Sequence, residues 1–499
     1  MLLAIFALVF MATVFLPGPL IVLLIANTLI GLFLSLLQIG ITLFPKFRLR
    51  RRGKEYRPFV SVLVPAHNEP PLLLIETLEA LSRLRYDNYE VLVIDNNTDD
   101  TAVWKPVERF SLFLGRKFRF LHVENLEGFK AGALNYALER VNPQSEYIAV
   151  VDADYIVQPN FLSMAVSYFT HRDIALVQFP QAYRNSNELN QPIADEYRHF
   201  FKIYMNMANH LDCVPSTGTV SIYRRDALRS ISGFRAEAIT EDADAGLRFY
   251  AAGFRGVYVD RAVGQGLMPY DIGAYRKQKG RWALGNAQSI KMLFSLFGRI
   301  PFRSWIGFLS HLTAWDHLNF LPFAVLAGYA LVVTPLVPTT ELHKILLNVA
   351  SISIFVTILS KMILFLFTFR GEKRGVSRAL KAFVVHMGMT FLYSEALMTL
   401  LFKRRLKFER TNKFIFESVP SLLKSTYKEL ILGSWFLLGA VEAIVFGSRY
   451  ITIVVFSISA FALLSIFYVY WHIRPTLSIS KELLRDAERK YRDYLFGVS

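Results

Sequence analysis

Along the chain the apolar positions fall into three regimes. Residues 1–44 are almost wholly apolar, with no charge before Lys46, and Pro17-Gly18-Pro19 divides them into a shorter and a longer piece. The longer piece can span a bilayer, and the shorter can span a thin one or cross it tilted. A cleaved signal peptide is the competing reading, but the basic n-region of such a peptide is missing. The expectation is an N-terminal transmembrane hairpin over 1–45 with both ends inside. From about 57 to 270 short apolar runs alternate with amphipathic stretches. Phe59–Val64, Glu90–Ile94, Phe118–Val123 and Tyr147–Val151 read as strands, and Pro71–Leu84 and Lys130–Arg140 as helices between them. This βαβα order predicts a mostly parallel sheet whose carboxyl edge forms a nucleotide crevice. No G-x-G-x-x-G follows the first strand, which argues against a soluble Rossmann-like dehydrogenase.

Beyond 270 the pattern becomes apolar again. Residues 271–300 are basic, aromatic and amphipathic, as in a helix lying in the membrane interface, and Pro301 ends them. Within 301–372, spans are expected at roughly 311–336 and 342–369. Residues 377–402 are apolar enough to cross, but crossing would place the basic segment Lys403–Lys413 outside, so 373–428 is read as an interfacial helix and a loop. Two further spans, about 429–447 and 450–472, make up 429–472. They lead to a cytosolic tail, 473–499, whose Lys481–Phe496 stretch is charged and helical in pattern, too short for a regulatory domain.

Composition sharpens this picture. In 499 residues the hydrophobic share is 53%, with 42 Phe, too apolar for an ordinary soluble protein. The net charge of +16 is concentrated beside the apolar runs, as at 46–57 and 403–413. That placement suits an anionic cytoplasmic leaflet better than nucleic acid, and it fixes the middle domain on the cytoplasmic side of the cell membrane. A single cysteine, Cys213, excludes an intramolecular disulfide framework and a cysteine-ligated zinc site.

The candidate chemistry sits at strand ends and helix starts. Ile148–Val151 runs into Asp152-Ala153-Asp154, two hard oxygen donors that suit a divalent cation held together with diphosphate oxygens; a solvated surface turn is the plainer explanation. Ala66 and Glu69 close the first strand and could hold a base or ribose, though a capped helix start reads the same. Asp95 ends the second strand, where a surface Asx-turn serves equally well. Lys130 follows Gly128 at a helix start, suited to phosphate or simply solvated. Thr240-Glu241-Asp242 opens a helix over Ala243–Ala251 with Thr240 as N-cap. Its acids either favour the helix dipole or supply Asp242 as a general base. Gln278-Lys279-Gly280-Arg281-Trp282 offers a guanidinium fork for diphosphate and a flat face for a sugar, on a helix that would carry Arg and Trp in any case.

The order of these motifs, a strand-end Asp, D-x-D, T-E-D and Q-x-x-R-W before membrane spans, resembles the processive family 2 glycosyltransferases, of the cellulose synthase and hyaluronan synthase kind, over about residues 20–472. Lys130–Asn135, Gln178–Gln181 and Thr217–Arg225 also match. Phe408-Glu409-Arg410-Thr411-Asn412-Lys413 is similar to a gating loop, F-x-V-T-x-K-G, with Arg410 in place of Val and Phe414 in place of Gly. No cyclic-dinucleotide-binding domain follows the last span, and six spans are closer to hyaluronan synthase than to cellulose synthase.

The resemblance implies a GT-A-like cytosolic α/β glycosyltransferase domain over 46–270 with an α-helical transmembrane region. It implies donor binding by Ala66, Glu69, Asp95, Lys130, Asp152, Gln278 and Arg281, with Asp154 on Mg²⁺ or Mn²⁺. Asp242 is then the base of a single inverting displacement. Glu241, Trp282, Thr217 and Gly218 lie at the acceptor, and Phe408, Thr411 and Lys413 form the gate. The implied partners are a nucleotide-diphosphate sugar (UDP-linked first, GDP-linked second), a glycan or lipid acceptor and the bilayer, with no nucleic acid. Three functions remain open: a β-glycan polymerase that exports its product, a synthase adding one sugar to a membrane lipid, and a transporter or sensor carrying an inactive transferase domain.

Overall fold

In the computed structural model the described residues are 11–43, 51–53, 56–315, 319–332, 340–402, 422–445 and 450–496. The middle of the chain builds a seven-stranded sheet from β1 (Val60–Ala66), β2 (Tyr89–Asn96), β3 (Phe118–Val123), β4 (Tyr147–Val150), β6 (Ile174–Gln178), β7 (Ser221–Arg224) and β8 (Arg255–Tyr258), in the order β3-β2-β1-β4-β7-β6-β8. Only β7 runs antiparallel to its neighbours β4 and β6. A small second sheet pairs β5 (Ile156–Val157) with β9 (Gly264–Gln265). The mostly parallel expectation holds, and the four strand placements hold to within two residues at either end.

Both faces of the sheet are covered, which is why its strands read as unbroken apolar runs. Along β1, β2 and β4 alternate residues enter different cores. Val60, Val62, Val64, Val91, Val93, Tyr147 and Ala149 pack with α2 (Pro71–Ser82), α3 (Thr101–Phe113) and α5 (Phe161–Val166). Leu63, Leu92, Ile94, Ile148 and Val150 pack with α4 (Phe129–Leu138), α7 (Asn206–Leu211) and α9 (Glu241–Ala251). Between α6 (Gln191–His199) and α7 lies a π-helical segment, Phe200–Met205, and α8 (Arg225–Ser230) follows β7.

The Q-x-x-R-W stretch lies in the long helix α10 (Ile272–Ser295), capped by Asp271, whose side chain accepts from the Ala274 N–H. Helix α11 (Phe302–Leu312) begins after Pro301 and runs into a 3₁₀ turn, Thr313–Trp315. Three described helices are long and apolar enough to cross a membrane: α1 (Pro17–Leu43), α13 (Glu341–Thr368) and the stretch Val455–Tyr491. The segment expected as one interfacial helix, 377–402, is two, α14 (Gly375–Met387) and α15 (Thr390–Phe402). The remaining helices are α12 (Phe320–Val332), α16 (Leu422–Val445), α17 (Tyr450–Leu464), α18 (Ile466–Ile473) and α19 (Pro475–Phe496). Phe408, Thr411 and Lys413 of the gating-loop expectation lie outside the described residues.

Candidate active site

The carboxyl edge of the parallel strands gathers the acidic residues. Register places Ala66 beside Asp95 and Asp95 beside His122, while Leu63 pairs with Val150 two residues before Asp152. Two strand-end loops are laced together at this edge. The Asn68 N–H donates to Thr98 Oγ1 at 2.9 Å, and Thr98 Oγ1 donates to Asp95 Oδ1 at 2.7 Å. His122 Nδ1 donates to Asp95 Oδ2 at 2.8 Å, and the Trp104 ring stacks on His122 at 4.3 Å. Asp95 is therefore buried and specifically bonded, and the surface Asx-turn reading falls. Burial raises its carboxyl above the ordinary value, with Thr98 and His122 pulling it back. Glu69 is half-buried in the same loop.

Asp152 and Asp154 have different partners. Lys130 Nζ donates to Asp152 Oδ1 at 2.6 Å and to the Gly218 carbonyl at 2.9 Å. Burial works against the Lys130 charge, but Asp152, Glu241 and Asp242 override it and hold the ammonium above its ordinary value. Lys130 is thus an ionic partner inside the crevice, which removes the solvated-lysine reading. Asp154 is buried, and its Oδ2 accepts the Leu267 N–H at 2.8 Å. Among the described residues no group of three or more His, Cys, Asp or Glu side chains could cage a metal by themselves. Two carboxylates spaced i, i+2 do fit a cation that completes its shell with substrate phosphate oxygens and water, the usual arrangement for Mg²⁺.

One cavity of about 100 Å³ joins the rest of the site. Lys130 and Asp152 face Thr217, Gly218, Glu241 and Asp242 across it, and Gln278, Arg281 and Trp282 reach it from α10. Gly218 has φ +80°, and a Cβ there would lie 2.8 Å from Asp242 Oδ2, so both its conformation and the closeness of the carboxylate require glycine. Asp242 is partly buried. Burial first, and the Glu241 charge second, push its carboxyl up to about 7 against the pull of Lys130. A carboxylate in that range is suited to taking a proton near neutral pH.

Thr240 precedes α9 as expected, but its side chain makes no capping bond. Instead Thr240 Oγ1 is turned inward under α10, where a Cβ on Gly285 would come within 2.3 Å of it. Gln278 Oε1 accepts from the Tyr197 hydroxyl, and Lys279, fully buried, pairs with Glu196 at 2.5 Å. Sequence reading missed His122, Trp104, Tyr197 and Glu196. Each meets its partner across 18 to 83 residues of chain, and none carries a local pattern that announces the contact.

Residues 57–285 match the profile of the family described as glycosyltransferase-like family 2. A probable glucomannan 4-beta-mannosyltransferase 7 from Oryza sativa is 29% identical over 252 residues, covering 48% of this chain and 43% of that protein. A UDP-forming cellulose synthase catalytic subunit from Komagataeibacter sucrofermentans is 28% identical over 253 residues, covering 48% of this chain and 32% of that one. The chain thus spans less than half the length of these curated relatives. Among solved structures, a mannosyltransferase from Pyrobaculum calidifontis in complex with GDP-Man and Mn²⁺ shares the fold, with a TM-score of 0.54, 18% identity and coverage of 76% of this chain and 100% of that chain.

Proposed function

We propose that this chain, whose residues 57–285 form a family 2 glycosyltransferase domain, is a membrane-integrated inverting hexosyltransferase that polymerises a β-linked glycan from a nucleotide-diphosphate sugar and passes it into a channel among its own membrane helices. The observation that carries this reading is the convergence of Lys130, Asp152, Asp242, Arg281 and Trp282 on one cavity. Charge for a diphosphate, a base and a sugar-stacking face then lie within one substrate's length. The β-glycan synthases among the relatives support it.

In the proposed reaction the acceptor hydroxyl oxygen attacks the anomeric carbon from the face opposite the diphosphate. The new C–O bond forms as the bond to the diphosphate oxygen breaks, so an α-linked donor gives a β-linked product. Asp242 takes the hydroxyl proton. The departing nucleoside diphosphate carries the electron pair and meets Arg281, whose planar fork suits phosphate oxygens. Asp154, with Asp152, would hold Mg²⁺ or Mn²⁺, which when bound neutralises charge on the leaving group. The base of the donor lies toward Ala66, Glu69 and Asp95, with Trp282 under the acceptor sugar. Glu241, Thr217 and Gly218 border that acceptor position.

We place the catalytic domain on the cytoplasmic side, because the basic clusters flank the apolar runs there. Export follows from physical need, since a polar glycan crosses hydrocarbon only along a lined path. The deciding experiment incubates membranes containing the full chain with labelled UDP- and GDP-sugars and sizes the product. A ladder of β-linked glycan is expected; a lipid bearing one sugar would establish the glycolipid reading instead.

A further inference from the structure

Asp154 is held by a bond from well outside its own loop. Its Oδ2 accepts the N–H of Leu267, in the strip 263–268 that runs beside the D-x-D turn. The strip is registered on 155–158 residue by residue. Gln265 and Gly264 pair with Ile156 and Val157, and the Gln158 N–H donates to the Val263 carbonyl at 2.7 Å. Gly266 lies flat on the Tyr155 ring, where a Cβ would come within 2.3 Å of Cε2. The turn itself is tied to α2, whose buried Thr77 hydroxyl donates to the Ala153 carbonyl at 2.8 Å.

The strip is gripped in turn by α19. Asn185, wholly buried, meets Met268 in both directions: Nδ2 donates to the Met268 carbonyl at 3.0 Å, and Oδ1 accepts the Met268 N–H at 2.8 Å. The same Nδ2 donates to Ser480 Oγ of α19 at 3.1 Å. Asn190, also wholly buried, donates to the Asn185 carbonyl and to Thr476 Oγ1 at 2.9 Å each. The buried Leu267 side chain packs with Leu73 of α2 and with Leu483 and Leu484 of α19. Apolar contact alone would keep α19 in place. Buried amides are costly unless bonded, and bonded as these are they also set where 267–268 lies along the turn, within the narrow tolerance of a hydrogen bond.

Resting on the assignment of Asp154 to the cation, we propose that Asn185, Leu267 and the tail residues Ser480, Leu483 and Leu484 are positioning residues for the metal. Helix α19 sets the strip, and the Leu267 N–H sets the Asp154 carboxylate. A ligating carboxylate turns about its own bonds unless an outer partner fixes it, and loss of such partners weakens metal affinity about 10–100-fold. The tail lies outside residues 57–285 of the family match, so the cation site is completed by a segment that the matched domain does not contain.

The test uses the full purified chain, with Mn²⁺ binding read by electron paramagnetic resonance in the presence of UDP or GDP and no sugar donor. Asn185→Leu removes both bonds to Met268, and Leu483→Ala with Leu484→Ala removes the tail's contact with Leu267. Each is expected to weaken Mn²⁺ binding at least about tenfold and to raise the Mn²⁺ concentration for half-maximal transfer by a similar factor. Saturating Mn²⁺ is expected to restore kcat, which separates these variants from loss of Asp154 itself. Leu483→Met with Leu484→Met keeps the apolar volume and should bind as the wild type does. Lys490→Met is the control, since it breaks the tail's ion pair with Glu79 and leaves the Leu267 contact in place. It should leave Mn²⁺ binding unchanged whatever it does to the melting temperature. If Asn185→Leu does not fold, the tail variants decide alone. Wild-type Mn²⁺ binding in the folded Leu483→Ala, Leu484→Ala variant, or an equal loss in Lys490→Met, overturns the positioning role and leaves the metal assignment standing. Full transfer by the wild type in excess chelator overturns both.

Discussion

Asp242 carries the sharpest residue-scale expectations. As the base, Asp242→Asn should retain nucleoside diphosphate affinity and lose turnover by about 10²–10⁴-fold, measured on the same purified variant. Were the residue only a helix-start acid, the cost would be ~0.3–1 kcal/mol of stability with turnover intact. Its carboxyl stands near 7 because burial and Glu241 disfavour the anion. The base must be ionised to act, so kcat/KM should rise about tenfold per pH unit below that value and level off above it. The stability sign is opposite. A carboxyl raised in the fold favours the native state while protonated, and that contribution is lost as pH climbs from the unfolded value through about 7. Asp154 gives the metal expectation: chelator should abolish transfer, and Asp154→Asn should not regain it with added Mg²⁺ or Mn²⁺. Full transfer in excess chelator would remove the cation from the mechanism.

At the scale of elements, α10 matters most, because it brings Gln278, Arg281 and Trp282 to the cavity and is held at two points. Lys279 Nζ pairs with Glu196 of α6 in full burial, surrounded by the rings of Tyr197, Tyr275, Trp282 and Trp315. One turn earlier, Arg276 pairs with Glu429 of α16 at 2.5 Å. Helix α6 is in turn bound to α14, through Asp195 with Arg378 and Glu196 with His386 at 3.4 Å. Burial works to raise the Glu196 carboxyl, but Lys279 and His386 hold it down, to about 2. A depressed carboxylate stabilises the fold above its unfolded value, and that contribution is lost as pH falls toward 2. Glu196→Gln strands the lysine charge and should cost about 3–5 kcal/mol, visible as a lowered melting temperature. Adding Lys279→Met should return much of it; a double variant as unstable as the single one would show that the pair does not act as a unit.

At the scale of the whole molecule, the chain closes on itself. Helix α19 leaves the last apolar stretch and returns along the catalytic domain, where Asn185 donates to Ser480 and Asn190 to Thr476. Farther along, Lys490 and Tyr491 reach Glu79 of α2, and Ala487 and Tyr491 join the core under the sheet. The tail, helical as its pattern predicts, is therefore also a structural brace. Removal of 475–499 should lower the melting temperature of the catalytic domain, and an unchanged melt would refute the bracing role. The proposed orientation is checked with a reporter cysteine at Lys407. It should resist a membrane-impermeant thiol reagent in intact cells, and labelling from outside would overturn the interfacial placement of 377–402.

By itself the sequence determined the mostly parallel sheet, the strand-end position of Asp95, Asp152 and Asp154, and the apolar stretches, because these rest on periodicity and on residue types within a few positions of each other. The order of short motifs was likewise legible, and residues 57–285 match the family 2 profile that this order resembles. The tertiary structure alone decided which solvated-looking charges were paired. Lys130 meets Asp152 across 22 residues, and Lys279 meets Glu196 across 83. It also turned Thr240 from a cap into a cavity-facing hydroxyl, because α10 passes over it at Gly285. Periodicity reports which face of an element is buried. It does not report which distant side chain arrives there, as Lys130 arrives beside Asp152 and works against the burial that raises the Asp242 carboxyl.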